Sequence, residues 1–361
     1  MLRRNFVGVF RREVSVLGAG LRDVSTQAEG ETVGELFERI RGQAKAPPIF
    51  DRDLKTKHRD RSAFGLSPDD SLLSAVSSSL VDRLLDAKRK FPHAVVLGGQ
   101  GRYVAQEILK IDAGIEEVTF IDGSQRMLDS IKRLEEEYLK EGKYFPKADY
   151  ILGDEETIPL RKQTANLIVS CLGMHWVNDL PAALVQCLLA LKPDGLFLAN
   201  MFGGNTLQEL RIAFNLAEQE REGGVSPRIS PLVQMNDTGS LLSGAGFNLI
   251  GVDVDDITIK YKNAWELIQH LRMLGESGAS LQRRKTLSRD VAIAVGAAYQ
   301  GLFGEEDGYV PATFQVMNMT GWAPDSSQQK PSRRGSASAS LEDIDKVMEE
   351  MEIKHIEEDK S

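Results

Sequence analysis

Ala94-Val95-Val96-Leu97-Gly98-Gly99-Gln100-Gly101, followed by Val118-Thr119-Phe120-Ile121-Asp122, decides the fold class. An apolar run meets a glycine turn, a helical stretch follows, and a second apolar run ends on a carboxylate. That order is the nucleoside-binding half of an open α/β sheet. Glycines let a backbone approach a ligand closely, and a carboxylate at the second strand's end accepts hydrogen bonds from ribose hydroxyls. Gly98, Gly99, Gly101 and Asp122 are therefore candidates for holding an adenosine-type cofactor. The bland alternative makes Asp122 a helix cap, a role Ser124 could equally fill.

The same alternation extends in both directions. Strands are expected near 94–97, 117–121, 149–152, 166–171 and 195–201, with helices near 102–112, 124–140 and 180–190. This pitch specifies parallel strands with helices on both faces, and ligands at the strands' carboxyl ends. Lys192-Pro193-Asp194-Gly195 reads as a turn, since proline fixes φ and aspartate and glycine suit a tight reversal. Thr206 to Glu222 reads as a helix stopped by Gly223-Gly224 and Pro227. Beyond it come a strand-like run, Asn248–Tyr261, helices near 263–274 and 286–303, and a final strand over Thr313–Trp322. The last two strands are expected to form an antiparallel edge, with the helices between them capping the active-site face.

Two further groups fall at strand ends. Asp154 and Glu155 follow the third strand, within reach of a cofactor's adenine, or else act as solvated loop charge or helix-terminal acids. His175 and Trp176 follow the fourth, where a transferred group would meet its acceptor. His175 could serve as a base and Trp176 as a pocket wall. The competing reading is packing, with Asn178 or Asp179 capping the next helix. The five histidines are scattered along the sequence, and no spacing suggests a metal site. Cys171 and Cys187 sit in apolar runs and read as reduced core thiols.

Composition bounds the rest. The 361 residues are 42% hydrophobic and 27% charged, with a formal charge of -9. That is ample material for a core, and it carries no basic block in the folded part, against nucleic acid as a main partner. Residues 1–28 differ: five arginines stand against Glu13 and Asp23, a net of +3, with Phe6, Val7, Phe10 and Val14 on one helical face. Arg-rich, acid-poor and amphipathic is presequence composition. From Asp325 the chain is polar and small, a linker-like tail. Leu341–Ser361 follows with nine acids and three lysines, either solvated or a short amphipathic helix.

Several longer strings add a resemblance. Ile49-Phe50-Asp51-Arg52-Asp53-Leu54-Lys55, His175-Trp176-Val177-Asn178-Asp179-Leu180-Pro181, and Met201-Phe202-Gly203-Gly204-Asn205-Thr206-Leu207-Gln208-Glu209-Leu210-Arg211 are three of them. Glu220-Arg221-Glu222-Gly223-Gly224, Ser226-Pro227-Arg228-Ile229-Ser230-Pro231, Val310-Pro311-Ala312-Thr313 and Arg334-Gly335-Ser336-Ala337 complete the set. The chain resembles the Rossmann-like S-adenosylmethionine methyltransferases, and among them a branch of arginine-hydroxylating assembly factors of mitochondrial respiratory complex I. Around Gly204 to Leu210 it also looks like bacterial carboxyl methyltransferases of biotin synthesis.

The resemblance implies a mostly parallel seven-stranded sheet with an antiparallel edge and helical cap. Taken with the composition of the two ends, the expected division is a presequence over 1–28, a lid or linker over 29–79, a methyltransferase-like domain over 80–324 and a disordered tail over 325–361. The resemblance implies S-adenosylmethionine as cofactor, and a matrix protein peripheral on the inner membrane. There it would hydroxylate an arginine of an iron–sulfur subunit of complex I early in assembly, alongside other assembly factors. Methyl transfer to a carboxyl group or a protein, and a catalytically silent scaffold, are the alternatives. Asp51–Arg61 is then a lid near the cofactor, or a solvated helix face. The usual Asp-x-Gly-x-Gly-x-Gly is altered: Val96 replaces the aspartate, and Gln100 and Arg102 replace glycines. Arg102 could instead meet the carboxylate of the cofactor's methionine part.

Overall fold

The computed structural model describes residues 31–41, 47–87, 89–284, 286–330 and 335–336. The presequence expected over 1–28 and the acidic stretch from Leu341 lie outside the described residues. The chain divides into two compact units, Met1–Pro324 and Asp325–Ser361. The first holds everything that follows.

Its centre is a seven-stranded sheet. In chain order the strands are β1 (His93–Gly99), β2 (Glu117–Asp122), β3 (Lys147–Leu152), β4 (Ala165–Cys171), β5 (Leu191–Phe202), β6 (Asn248–Tyr261) and β7 (Val310–Trp322). Across the sheet they run 3-2-1-4-5-7-6. β1 to β5 are parallel, with Val96 opposite Phe120 on β2 and Val169 on β4. β7 enters antiparallel to β5, Leu198 facing Thr320, and β6 pairs antiparallel with β7. So β7 alone runs against the rest, and it lies between β5 and the outermost strand rather than at the rim. β6 takes the rim and presents Asp253, Asp255 and Asp256, charges that oppose unwanted strand pairing.

Helices α1 (Val33–Arg41), α2 (Arg52–Gly65), α3 (Ser71–Asp82), α4 (Gly101–Ile108), α5 (Gln125–Lys140) and α6 (Leu180–Ala190) accompany the parallel half. After β5 come α7 (Gln208–Glu222) and α8 (Met235–Ala245); α9 (Ala264–Met273) and α10 (Arg289–Phe303) lie between β6 and β7. Ala94 to Leu97 are almost wholly buried because both sheet faces are covered, which is why that run is continuously apolar. Val96, with α3, α4 and α5, belongs to one apolar core; Val95 and Leu97, with α1, α6 and α8, belong to the other. Side chains that alternate along β1 thus feed opposite layers.

The Lys192–Gly195 turn is not a separate connection. β5 already pairs at Leu191 with Ala165, then the register slips before Leu196 meets Leu167. Asp194, at φ 59°, sits in the bulge that absorbs the extra residues.

Candidate functional site

At the carboxyl ends of β1 to β4 two adjoining sites meet, and side chains of α2 reach into the first and buttress the second. Asp51 caps this helix, its side chain accepting from the Leu54 backbone N–H. Arg52, Lys55 and Arg59 are spaced to share one helical face. Of the two readings for Asp51–Arg61, the solvated face is not what these three residues form. Lys55 and Arg59 are 2% and 5% exposed.

The first site is the crevice above the glycine turn. Asp122 is buried at the end of β2. Its Oδ1 accepts from the Ser124 N–H at 2.7 Å and lies 3.7 Å from the Arg59 guanidinium. Ser124, not Asp122, caps α5, accepting from Met127 N–H. Arg59 also donates to Glu155 Oε1 at 2.6 Å. Arg52 donates to Glu155 Oε2, to Asp154 Oδ1 at 2.6 Å and to the Trp176 carbonyl at 3.1 Å. Burial pushes Asp122 up to about 6, against the pull of Arg59. Burial would raise Glu155 too, but Arg59 and Arg52 outweigh it and hold that carboxyl well below its ordinary value.

Gly98, Gly99, Asp122, Asp154 and Glu155 are therefore brought together. Arg102 and Gly101 are not. Arg102 starts α4 facing α5, where it donates to the Ser130 carbonyl at 3.0 Å and lies 3.6 Å from Glu137. A Cβ on Gly101 would stand 3.1 Å from Ile131, so this glycine serves helix packing. Gln100 points to the cap, donating to the Leu274 carbonyl.

S-adenosylmethionine, implied by the methyltransferase resemblance, does not fit these side chains as they are arranged. A Cβ at Gly98, with φ 60°, would collide with the Glu155 carboxylate, and one at Gly99 with the Cys171 carbonyl. The space those glycines open is taken by the protein itself.

The second site lies beyond Trp176. Glu276, in the loop after α9, gathers three partners. Its Oε2 accepts from Trp176 Nε1 at 2.8 Å and lies 2.9 Å from His175 Nε2, while its Oε1 accepts from Lys55 at 2.8 Å. Lys55 also donates to the Gly275 carbonyl and sits 3.8 Å from the Trp176 ring centre. Burial would raise Glu276, but Lys55 and His175 hold it far below its usual value. Burial brings Lys55 down to about 8 despite Glu276, and depresses His175 more than Glu276 restores it. A neutral His175 donating from Nε2 leaves Nδ1 as an acceptor, and that atom has no protein partner.

His175, Trp176 and Glu276 line a cavity of about 410 Å³. Phe202, Leu210, Phe214, Leu271 and Phe314 supply much of its apolar wall, and Arg228 and Arg272 its cations. A cavity this size takes an amino-acid side chain or a small ligand. Asn178 ties down the residues leading into α2, its Oδ1 accepting from the Ile49 and Phe50 N–H groups at 2.7 Å, while Asp179 caps α6. Sequence reading missed Glu276 altogether. Among the described residues, no group of three or more His, Cys, Asp or Glu side chains is placed to hold a metal ion.

Strand order and crevice position define a Rossmann-like methyltransferase fold, and residues 97–199 match the methyltransferase domain family. The chain is 40% identical over 301 residues to the mitochondrial arginine-hydroxylase NDUFAF5 of Danio rerio, spanning 83% of this chain and 90% of that one. With the human protein of that name it shares 41% over 307 residues, 83% and 84% of the two chains. It is 30% identical over 279 residues to a malonyl-[acyl-carrier protein] O-methyltransferase of Xylella fastidiosa, covering 77% and 90%. The chain belongs to the arginine-hydroxylase NDUFAF5 family.

Proposed function

We propose that this chain hydroxylates an arginine of an iron–sulfur subunit of respiratory complex I at an early assembly step. Its site of action would be the mitochondrial matrix, peripheral on the inner membrane and alongside other assembly factors. The observation that carries this reading is identity of 40–41% to the zebrafish and human arginine-hydroxylases over 83% of the chain. The relatives are named mitochondrial, and no helix among the described residues is long and apolar enough to cross a membrane.

The cavity beside His175 is the proposed seat of the substrate side chain. Its apolar wall would hold the methylenes of an arginine, with His175 Nδ1 accepting a hydrogen bond from the guanidinium. Glu276 fixes the His175 ring through Nε2, and Trp176 forms part of the cavity wall. S-adenosylmethionine would have to lie against Asp122 and the Gly98–Gly101 turn. Because Arg59 and Glu155 fill that space, no step of the hydroxylation is assigned to it.

Mass spectrometry of complex I subunits from cells lacking the gene tests the proposal. The target arginine should lose the mass of one oxygen atom, and wild-type but not His175→Ala protein should restore it. An arginine mass unaffected by the deletion refutes the reading.

A further inference from the structure

We propose that this chain has turned its nucleoside crevice into an internal clamp, with the Arg59 guanidinium standing where a ribose would meet Asp122, so that S-adenosylmethionine is neither bound nor required. The features that would receive the cofactor are committed to protein partners. Glu155 projects over Gly98, and the Cys171 carbonyl stands at Gly99 and accepts the Gln100 N–H at 2.8 Å. Asp122 takes the Ser124 N–H and faces Arg59; Asp154 takes Arg52 and the Glu156 N–H.

The departures from the glycine pattern point the same way. Val96 stands where the family carries an aspartate, and it is buried in the α3–α5 core. Gln100 and Arg102 occupy glycine positions, and both side chains bond to backbone carbonyls elsewhere in the fold. A nucleoside arriving here would have to break the Arg59–Glu155 bond between two groups that are 5% and 1% exposed. Such an exchange leaves buried charges without partners and is strongly opposed.

The clamp has a use of its own. Arg52 and Arg59 fix the helix that carries Lys55 to Glu276, and Glu276 orients His175 and Trp176. The old cofactor site thereby positions the cavity's polar wall.

The test uses the full-length wild-type protein, titrated with S-adenosylmethionine and with S-adenosylhomocysteine up to millimolar concentration. Thermal unfolding and hydrogen exchange of the 52–65 amides are followed together. The expected result is no melting shift beyond about 1 °C and unchanged exchange in that helix. A ligand present at a hundredfold over its dissociation constant raises the midpoint of a domain this size by about 5–10 °C. A saturable rise of that kind, or altered exchange over 52–65, overturns the proposal. Arginine hydroxylation is read separately by subunit mass, so the clamp and the hydroxylase reading can fail independently.

Discussion

Replacing Glu276 by alanine should unravel the cavity's polar wall at a calculable cost. Lys55 and Glu276 are both buried, and removing the carboxylate leaves the amine without its charge partner. At pH 7 Lys55 escapes by shedding its proton. Burial has already lowered its value to about 8 against the pull of Glu276, so that step costs about 1 kcal/mol. Trp176 Nε1–H and His175 Nε2–H lose their acceptor as well, at about 1–3 kcal/mol each. Neighbouring losses are not additive, and about 3–5 kcal/mol is the expected total, in line with other broken buried pairs. Urea unfolding followed by circular dichroism measures it, with a fall in melting point of about 10 °C as the thermal counterpart. Adding Lys55→Met to Glu276→Ala should recover about 1 kcal/mol or more, since the stranded amine is gone. A Glu276→Ala protein within about 1 kcal/mol of wild type, or a double variant no better than the single, refutes the reasoning.

Two further outcomes follow from the buried groups. The carboxyl of Asp122 binds its proton more tightly folded than unfolded, about 6 against 3.8, so ionising it opposes folding. Its contribution is present below about pH 4 and is lost as pH rises through 6, about 3 kcal/mol in all. Glu155 and Glu276 act oppositely, stabilising above their free value of 4.5 and failing as pH falls below it. Urea midpoints from pH 4.5 to 7 should therefore decline with pH more steeply in wild type than in Asp122→Asn; equal slopes refute the assignment. Cys171 and Cys187 are fully buried, and burial raises both thiols, Cys171 to about 12. Ellman's reagent should leave both untouched in native protein and titrate both in urea; rapid native labelling contradicts the packing.

The parallel core was legible because β1, β2 and β4 are buried on both faces and so read as unbroken apolar runs. Asp122 was legible because a carboxylate ending such a run stands out. The place of β7 was not, since nothing in the alternation of Asn248–Tyr261 or Thr313–Trp322 says which strand lies outermost. Arg102 looked cofactor-facing from its place in the glycine motif, yet the phase of α4 turns it toward α5. Glu276 carries no periodic signal. Its meaning depends on Lys55, which lies 221 residues away in the chain and arrives on α2. The charge of Asp51–Arg61 was visible, but in sequence a charged helix face looks the same whether water or carboxylates cover it.

The position of β7 has a consequence for how the molecule is made. A strand ending at Trp322 fills the slot between β5 and β6, so the sheet's interior is completed by almost the last residues of the main unit. Until they arrive, Leu196–Phe202 and the β6 backbone offer bare hydrogen-bonding edges to any neighbouring chain. A premature stop upstream of Val310 would therefore remove a keystone rather than trim an appendage. During synthesis, amino end first, these edges stay open until the final strand is free to insert.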